Sequence, residues 1–177
     1  MATLRQLFLL CRLNRNSKSF ISAKMENSTR LKRTTSEDLD FRSLVKLLDQ
    51  DLAIRDGSEH AFFAQFNKID AIKHVVVYYH QGVPAGCGAF KPYDTSTVEI
   101  KRMFVQPEFR GRGIAGTILK ELELWAAEIN YSTAILETGK KQPEAIALYK
   151  KSGYTFIPNY GQYARVESSV CMEKIIK

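Results

Sequence analysis

Residues Phe109 to Gly116 read FRGRGIAG and separate a strand-like segment from the most regular helical segment of the chain. The preceding segment, Val98 to Val105 (VEIKRMFV), is rich in β-branched and apolar residues, which favours a strand. An apolar stripe at helical spacing runs along Gly113 to Glu128 and one residue beyond. Its members are Ala115, Ile118, Leu119, Leu122, Ala126 and Ile129. A strand, a glycine-rich loop and a helix in this order predict a mixed α/β fold with a ligand site at the start of the helix.

The loop has the composition of a diphosphate site. A diphosphate carries about two negative charges, and the amides of a first helical turn supply convergent donors that the helix dipole reinforces. The small or hydroxyl-bearing positions are Gly111, Gly113, Ala115 and Thr117. Arg110 and Arg112 add positive charge at the mouth. A plain strand–helix turn, relieved by glycine, is the alternative, and the two flanking arginines count against it.

The glycines also match the fingerprint of dinucleotide-binding folds, read as Gly111-x-Gly113-x-x-Gly116. Glu137 follows Gly116 by 21 residues, near the distance at which that fold places a ribose-binding acid. However, Gln106 to Arg110 separate the strand from the first glycine, and 40 residues after Glu137 are too few for two βαβ halves. A dinucleotide-binding protein therefore remains a remote alternative.

The rest of the chain adds strands and helices around this centre. The predicted order is β-α-α-β-β-β-α-β-α-β-β, a mixed α/β (α+β) domain with six to seven strands and about four helices. A helix capped by Thr35 or Ser36 ends at Asp56-Gly57. The remaining predicted elements are strands at Thr29–Lys32, His74–His80, Pro84–Phe90, Thr133–Glu137, Tyr154–Ile157 and Ser168–Ile176, and helices at Glu59–Phe66 and Pro143–Lys151.

Residues 1–24 differ in charge from the rest of the chain. They carry five basic and no acidic residues, whereas residues 25–177 carry 21 basic and 19 acidic residues. This basic leader has the composition of a mitochondrial transit peptide. An upstream extension ahead of Met25 and a disordered tail are equally compatible with it. We therefore expect one domain over residues 25–177, and a cytoplasmic location, or a mitochondrial one if the leader is a targeting signal.

Composition argues against several other classes of protein. Because residues 25–177 are nearly neutral, we predict no nucleic-acid partner. No apolar run approaches the roughly 20 residues that span a bilayer, so we predict no membrane-spanning segment. No disulfide framework, zinc spacing or histidine ligand pair is visible, and we predict no metal site. The residues considered are Cys11, Cys87, Cys171, His60, His74 and His80.

Two segments of the chain, residues 98–122 and 145–154, resemble the signatures of the GNAT superfamily of N-acetyltransferases. VEIKRMFVQPEFRGRGIAGTILKEL, residues 98–122, is similar to the family's fourth strand, pyrophosphate loop and following helix. AIALYKKSGY, residues 145–154, is similar to its second signature. The resemblance implies a mostly antiparallel central sheet flanked by helices, and acetyl-CoA as the acyl donor.

The resemblance also implies which residues hold the coenzyme. Backbone groups of the loop would bind the pyrophosphate, and main-chain groups of the preceding strand would pair with the pantetheine arm as an added strand does. Gln142 stands where the family usually has Asn, with a longer reach. The implied set is Met103, Phe104, Val105, Arg110, Gly111, Arg112, Gly113, Ile114, Ala115, Gly116, Thr117 and Gln142.

Direct acetyl transfer from a thioester to an amine requires a base for the ammonium and benefits from an acid for the departing thiolate. Glu99, on the coenzyme strand, is the candidate base, acting through water. Its alternative role is that of an exposed residue paired with Lys101 or Arg102. Tyr149, which matches the family's tyrosine, is the candidate acid. Its alternative role is core packing.

The acceptor site is the least defined part of the prediction. Tyr160 and Tyr163, between the last two strands, could line an acceptor pocket with Phe62 and Phe63, or could simply pack a long loop. Because no long acidic or basic stripe favours a peptide tail, we expect a primary amine of a small or amino-acid-like molecule. The resemblance further suggests a homodimer. A non-catalytic acyl-CoA-binding module is the alternative function.

Overall fold

The computed structural model describes residues 29–67, 69–70 and 72–177. They form one seven-stranded sheet in the order β1-β2-β3-β4-β5-β7-β6. The strands are β1 (Thr29–Thr34), β2 (His74–His80), β3 (Val83–Pro92), β4 (Thr97–Val105), β5 (Thr133–Gly139), β6 (Thr155–Ile157) and β7 (Ser169–Ile175). All neighbours are antiparallel except β4 and β5. The predicted fold class is confirmed. The predicted leader, residues 1–24, lies outside the described residues.

Helices cover both faces of this sheet. Within the described ranges they are α1 (Leu39–Asp56), α2 (His60–Ala64), α3 (Ile114–Glu128) and α4 (Pro143–Lys151). On β2, Val76 belongs to the core beneath α3, whereas Val75 and Val77 belong to the core beneath α1. Strand alternation therefore produces two apolar layers from one continuous apolar run, as expected of a strand covered on both sides.

The predicted N-cap of α1 was wrong by two to three residues. Asp38 caps the helix, because its Oδ1 accepts a hydrogen bond from the Phe41 amide at 3.0 Å. Lys32 donates to the other carboxylate oxygen at 2.7 Å, which connects β1 to the helix start. The Thr35 hydroxyl oxygen instead accepts a hydrogen bond from the Glu37 amide at 3.3 Å, within the turn before the helix. A hydroxyl residue in a turn and one at a helix cap have the same sequence signature.

The feature that positions the site is the separation of β4 from β5. The two strands pair only from Thr97 opposite Thr133 to Ile100 opposite Leu136. Beyond that point β5 continues with β7, and β4 continues with β3. The pairing of β4 with β3 shifts where Arg102 adopts a left-handed φ of 56°, and this β-bulge bends β4 away. The last residues of β4 therefore present a main-chain edge that no strand covers among the described residues.

Candidate active site

A cleft opens between the end of β4, the glycine loop, the first turn of α3 and α4. We call it the coenzyme cleft. All predicted coenzyme residues line it except Arg112 and Thr117. The Arg112 guanidinium approaches His80 Nε2 at 3.3 Å, and the Thr117 hydroxyl donates to the carbonyl of Gly113 at 3.2 Å. The side chains of these two residues are therefore engaged elsewhere, and only their backbone groups belong to the loop.

The loop has the geometry of an anion site. Gly111 and Gly113 adopt left-handed φ angles of 75° and 76°, which side chains rarely tolerate. Gly113 is the N-cap of α3 and has no side chain with which to occupy the first-turn amides. The first helical bond runs from the Thr117 amide to the Gly113 carbonyl, so the amides of residues 114–116 precede the helical ladder. These donors, with the helix dipole behind them, fit a diphosphate.

The strand edge beside the loop fits an amide-bearing chain. Met103, Phe104 and Val105 line the cleft where β4 has left β5. Arg110 fastens the loop to this strand, because its Nε donates to the Val105 carbonyl at 3.0 Å. An extended ligand with amide groups can add to such an edge as another strand would. The residues present therefore fit a coenzyme with a diphosphate at one end and a pantetheine arm.

The C-terminal end of α1 forms the far wall of the cleft, which the sequence analysis did not foresee. Arg55 forms an ion pair with Glu144 of α4, and Asp51 lies 3.1 Å from Arg55 and 3.7 Å from Arg110. These charges come from three separate parts of the chain. No local pattern predicts that they meet across the cleft.

A second, smaller cavity adjoins the coenzyme cleft, and we call it the acceptor cavity. The two share Leu48, Met103, Gln142 and Tyr149. The remaining lining residues that carry charge or hydroxyl groups are Asp56, Lys101, Arg102, Glu137, Thr138 and Tyr163. Because the shared residues lie where the two spaces meet, a group held at the inner end of the cleft would face a molecule in the cavity.

Tyr149 lies at this junction and is only 5% exposed. Burial, reinforced by the nearby charge of Glu137, raises the pKa of its phenol. A phenol held in its protonated form can donate a proton to an anion that develops beside it. The position agrees with the predicted role of Tyr149 as the acid, which stays a prediction.

Glu99 is placed differently from what the sequence suggested. It is 1% exposed, so the alternative of an exposed strand residue is wrong. Lys101 Nζ lies 3.3 Å from Oε1 and Lys91 Nζ lies 3.1 Å from Oε2. The Tyr160 hydroxyl donates to Oε1 at 3.2 Å. Arg102, the other suggested partner, pairs with Asp49 instead. Glu99 does not line the acceptor cavity, and its role as a base stays a prediction.

Of the predicted acceptor aromatics, Tyr163 and Phe63 line the acceptor cavity. Phe62 and Tyr160 are not among its lining residues. Phe62 packs edge-on against Phe63 and Phe66, and Tyr160 packs against Tyr163. They support the lining residues from behind.

Glu137 also lines the acceptor cavity, a position that its place in the sequence does not predict. The Ser169 hydroxyl donates a hydrogen bond to its Oε1 at 2.6 Å. Burial raises the pKa of its carboxyl. A carboxylate at the end of an apolar strand, TAILE, was a visible signal. In the sequence it matches only the ribose-binding position of a dinucleotide fold, because residue patterns do not show that β5 leaves β4 at this residue.

The described residues contain no group of three or more His, Cys, Asp or Glu side chains arranged to hold a metal ion. In the same part of the chain, no helix combines the length and the hydropathy needed to cross a bilayer.

Comparison with known proteins agrees with this geometry. The sequence model described as the acetyltransferase (GNAT) family matches residues 41–154. A relative from Azospirillum brasilense, named IAA acetyltransferase, is 40% identical over 101 residues, which cover 56% of this chain and 65% of the relative. The chain spans less than two thirds of the length of the curated relatives that it matches, from 65% down to 22%.

Solved structures extend the likeness to most of the fold. A Klebsiella pneumoniae protein provisionally assigned as an acyl-CoA N-acyltransferase superposes with a TM-score of 0.71 at 28% identity, covering 84% of this chain and 98% of that one. An acetyltransferase from Elizabethkingia anophelis, solved with acetyl-CoA bound, superposes with a TM-score of 0.60 at 19% identity, covering 83% and 97%. At that identity, the second likeness concerns the fold alone.

Proposed function

This chain belongs to the GNAT family of acetyltransferases, and we propose that it transfers an acetyl group from acetyl-CoA to a primary amine of a small molecule. The observation that carries the proposal is the junction at Tyr149, where a cleft suited to the coenzyme meets a separate cavity. Two connected spaces allow donor and acceptor to be bound together, as direct transfer in a ternary complex requires.

In this proposal the chain holds the coenzyme at three places. The amides of residues 114–116 bind the diphosphate, with Arg110 beside them. The main chain of residues 103–105 pairs with the pantetheine amides, and Gln142 contacts the arm near Tyr149. When bound, acetyl-CoA supplies a thioester carbonyl for attack by the amine.

Tyr149 donates its phenolic proton to the sulfur as the carbon–sulfur bond breaks. Without that proton the leaving group would be a thiolate, which is a poorer leaving group than the neutral thiol. The sequence predicts Glu99 as the base, acting through water; in the structure its two oxygens contact two lysines and Tyr160, and it does not line the acceptor cavity.

The acceptor cavity supports a small amine, including one that resembles an amino acid. Glu137 and Asp56 contribute acidic groups that attract an ammonium. Lys101 and Arg102 contribute cationic groups that could attract a carboxylate on the same molecule.

The test is acetyl-CoA-dependent thiol release by the full chain with a panel of primary amines. The panel contains tyramine, 1,4-diaminobutane, glycine and glutamate, with mass spectrometry of each product to identify the amide. We expect release with at least one member. Calorimetric binding of acetyl-CoA with no release from any amine would instead support the non-catalytic acyl-CoA-binding module. A thermal shift with NAD(H) and none with acetyl-CoA would contradict both.

A further inference from the structure

We propose that Glu137 is a catalytic residue of this site: it binds the ammonium of the acceptor and takes its proton before attack on the thioester. The inference rests on the proposed function and adds to it that the acceptor enters as a cation. Neither its position on β5 nor its residue type belongs to the coenzyme signatures of the sequence.

The position of Glu137 follows from the sheet. Leu136 is the last residue of β5 that pairs with β4, and Glu137 is the next. Its side chain therefore lies at the point where the two strands separate. There it lines the acceptor cavity together with Tyr149 of α4. A proton acceptor and a proton donor thus face the same space, one from the acceptor side and one at the coenzyme junction.

The carboxylate of Glu137 has an oxygen to offer. Ser169 occupies Oε1, at 2.6 Å, and orients the group. Oε2 has no hydrogen-bond partner among the described residues, and it is not one of the fully buried polar atoms that lack a partner there. It therefore keeps accessible surface, on a residue that lines the acceptor cavity. Glu99 differs, because its two oxygens are occupied by Lys91, Lys101 and Tyr160 and its side chain lies outside the cavity lining.

The surroundings of Glu137 suit a base. Burial is the largest influence and raises the pKa of the carboxyl, and the charges of Glu99 and Asp56 raise it further. The Ser169 hydrogen bond and Lys101 act in the opposite direction without reversing the shift. A carboxylate with increased proton affinity is better matched to an ammonium near neutral pH than an ordinary one. The titratable groups around it are Glu99 and Lys101 on β4, Asp56 on α1, Tyr149 on α4, Tyr163 in the 161–163 turn and Cys171 on β7.

The protons of the reaction then balance. One N–H bond of the ammonium breaks, its proton moves to Glu137 Oε2, and the freed electron pair forms the bond from nitrogen to the thioester carbon. As the carbon–sulfur bond breaks, its electron pair goes to sulfur, which takes the proton of Tyr149. The second proton lost by nitrogen restores Tyr149. The proton on Glu137 leaves to solvent, and the products are an amide and a thiol.

The test compares Glu137→Gln, Glu137→Asp and Glu99→Gln in the full chain, using the amine of the panel that the wild type acetylates best. We expect Glu137→Gln to lower kcat/KM at pH 7 by about 10²-fold or more, the range of general-base catalysis. The wild-type pH profile should level off above the pKa of Glu137. The profile of Glu137→Gln should keep rising towards the pKa of the amine, because only free amine can then react. Glu137→Asp should still show a plateau of kcat/KM at high pH, with a lower value than the wild type.

A second measurement does not depend on turnover. Because the folded protein raises the pKa of Glu137, ionisation of this carboxyl destabilises the folded state as the pH rises above the ordinary Glu pKa, and in full above the raised pKa. Glu137→Gln should therefore unfold at a higher temperature than the wild type at pH 7, and the difference should vanish near pH 4, about where a free Glu side chain titrates. Its affinity for acetyl-CoA should be unchanged.

The outcomes separate the inference from the proposed function. A wild type that acetylates no amine refutes the proposed function, and this inference with it. A wild type that turns over, with an unaltered profile in Glu137→Gln, refutes the inference alone. The inference is also refuted if the plateau of kcat/KM at high pH disappears in Glu99→Gln and is kept in Glu137→Gln. A lower unfolding temperature of Glu137→Gln at pH 7 would make Glu137 a structural anchor and also overturn the inference.

Discussion

Replacing Gly116 by alanine should stabilise the protein and weaken its binding of acetyl-CoA. Gly116 is the third residue of α3, and its φ is not positive. A Cβ added there meets only Leu148 Cδ1, at 3.9 Å, which is an ordinary contact. Alanine in a helix is about 0.5–1 kcal/mol better than glycine. For a chain of this size that gain raises the melting temperature by about 1–4 °C.

The same methyl group should obstruct the coenzyme. Gly116 lines the coenzyme cleft, and a Cβ on a helix tilts towards the helix N-terminus. That is the direction of the amides proposed to hold the diphosphate. We expect the Kd for acetyl-CoA to rise tenfold or more, a loss of about 1.4 kcal/mol. Calorimetry measures the affinity, and thermal unfolding of the ligand-free protein measures the stability.

Gly113→Ala is the matched comparison. Its φ of 76° is left-handed, and a Cβ there meets nothing within 4 Å. The cost is therefore that of the backbone alone, about 1–2 kcal/mol. The two variants should shift the melting temperature in opposite directions, although the two glycines are only three positions apart. Wild-type affinity of Gly116→Ala for acetyl-CoA would refute the placement of the diphosphate at the first turn of α3.

Two further predictions concern the acid and the fold. Tyr149→Phe should lower kcat about 10²-fold in steady-state kinetics. The Kd for acetyl-CoA, measured by calorimetry, should stay within about twofold of the wild type. An unchanged kcat would mean that Tyr149 only packs in the core. Asp38→Ala should cost about 1 kcal/mol at pH 7 through loss of the α1 cap. Burial raises the pKa of Asp38, but the bonds from Lys32 and the Phe41 amide outweigh it and lower the pKa. The stabilisation is thus present above the ordinary value of about 3.9 and is lost as the pH falls below it. Thermal unfolding of both proteins at pH 7 and pH 3 tests this, and an equal difference at both would contradict it.

Most of the secondary structure was predictable because its signals are local. Pro143 to Lys151 forms the predicted helix, with the proline at its first position. The hairpin turn at Gln81 and Gly82 has positive φ at both residues, which suits the twist of β2 and β3. The cap of α1 was misplaced because hydroxyl and carboxyl side chains cluster there, and only the backbone path decides which of them reaches a first-turn amide.

The sequence by itself determined the coenzyme loop. Glycines at left-handed angles, a helix start with free amides and the strand before it all lie within residues 98–128, so one contiguous segment encodes them. Only the tertiary structure decided the acceptor cavity. Its acids, Asp56 and Glu137, are 81 positions apart, and they meet Tyr149 only because a bulge at Arg102 turns β4 away from β5. A contact between distant residues depends on how the strands pair and separate, and residue patterns along the chain do not record that.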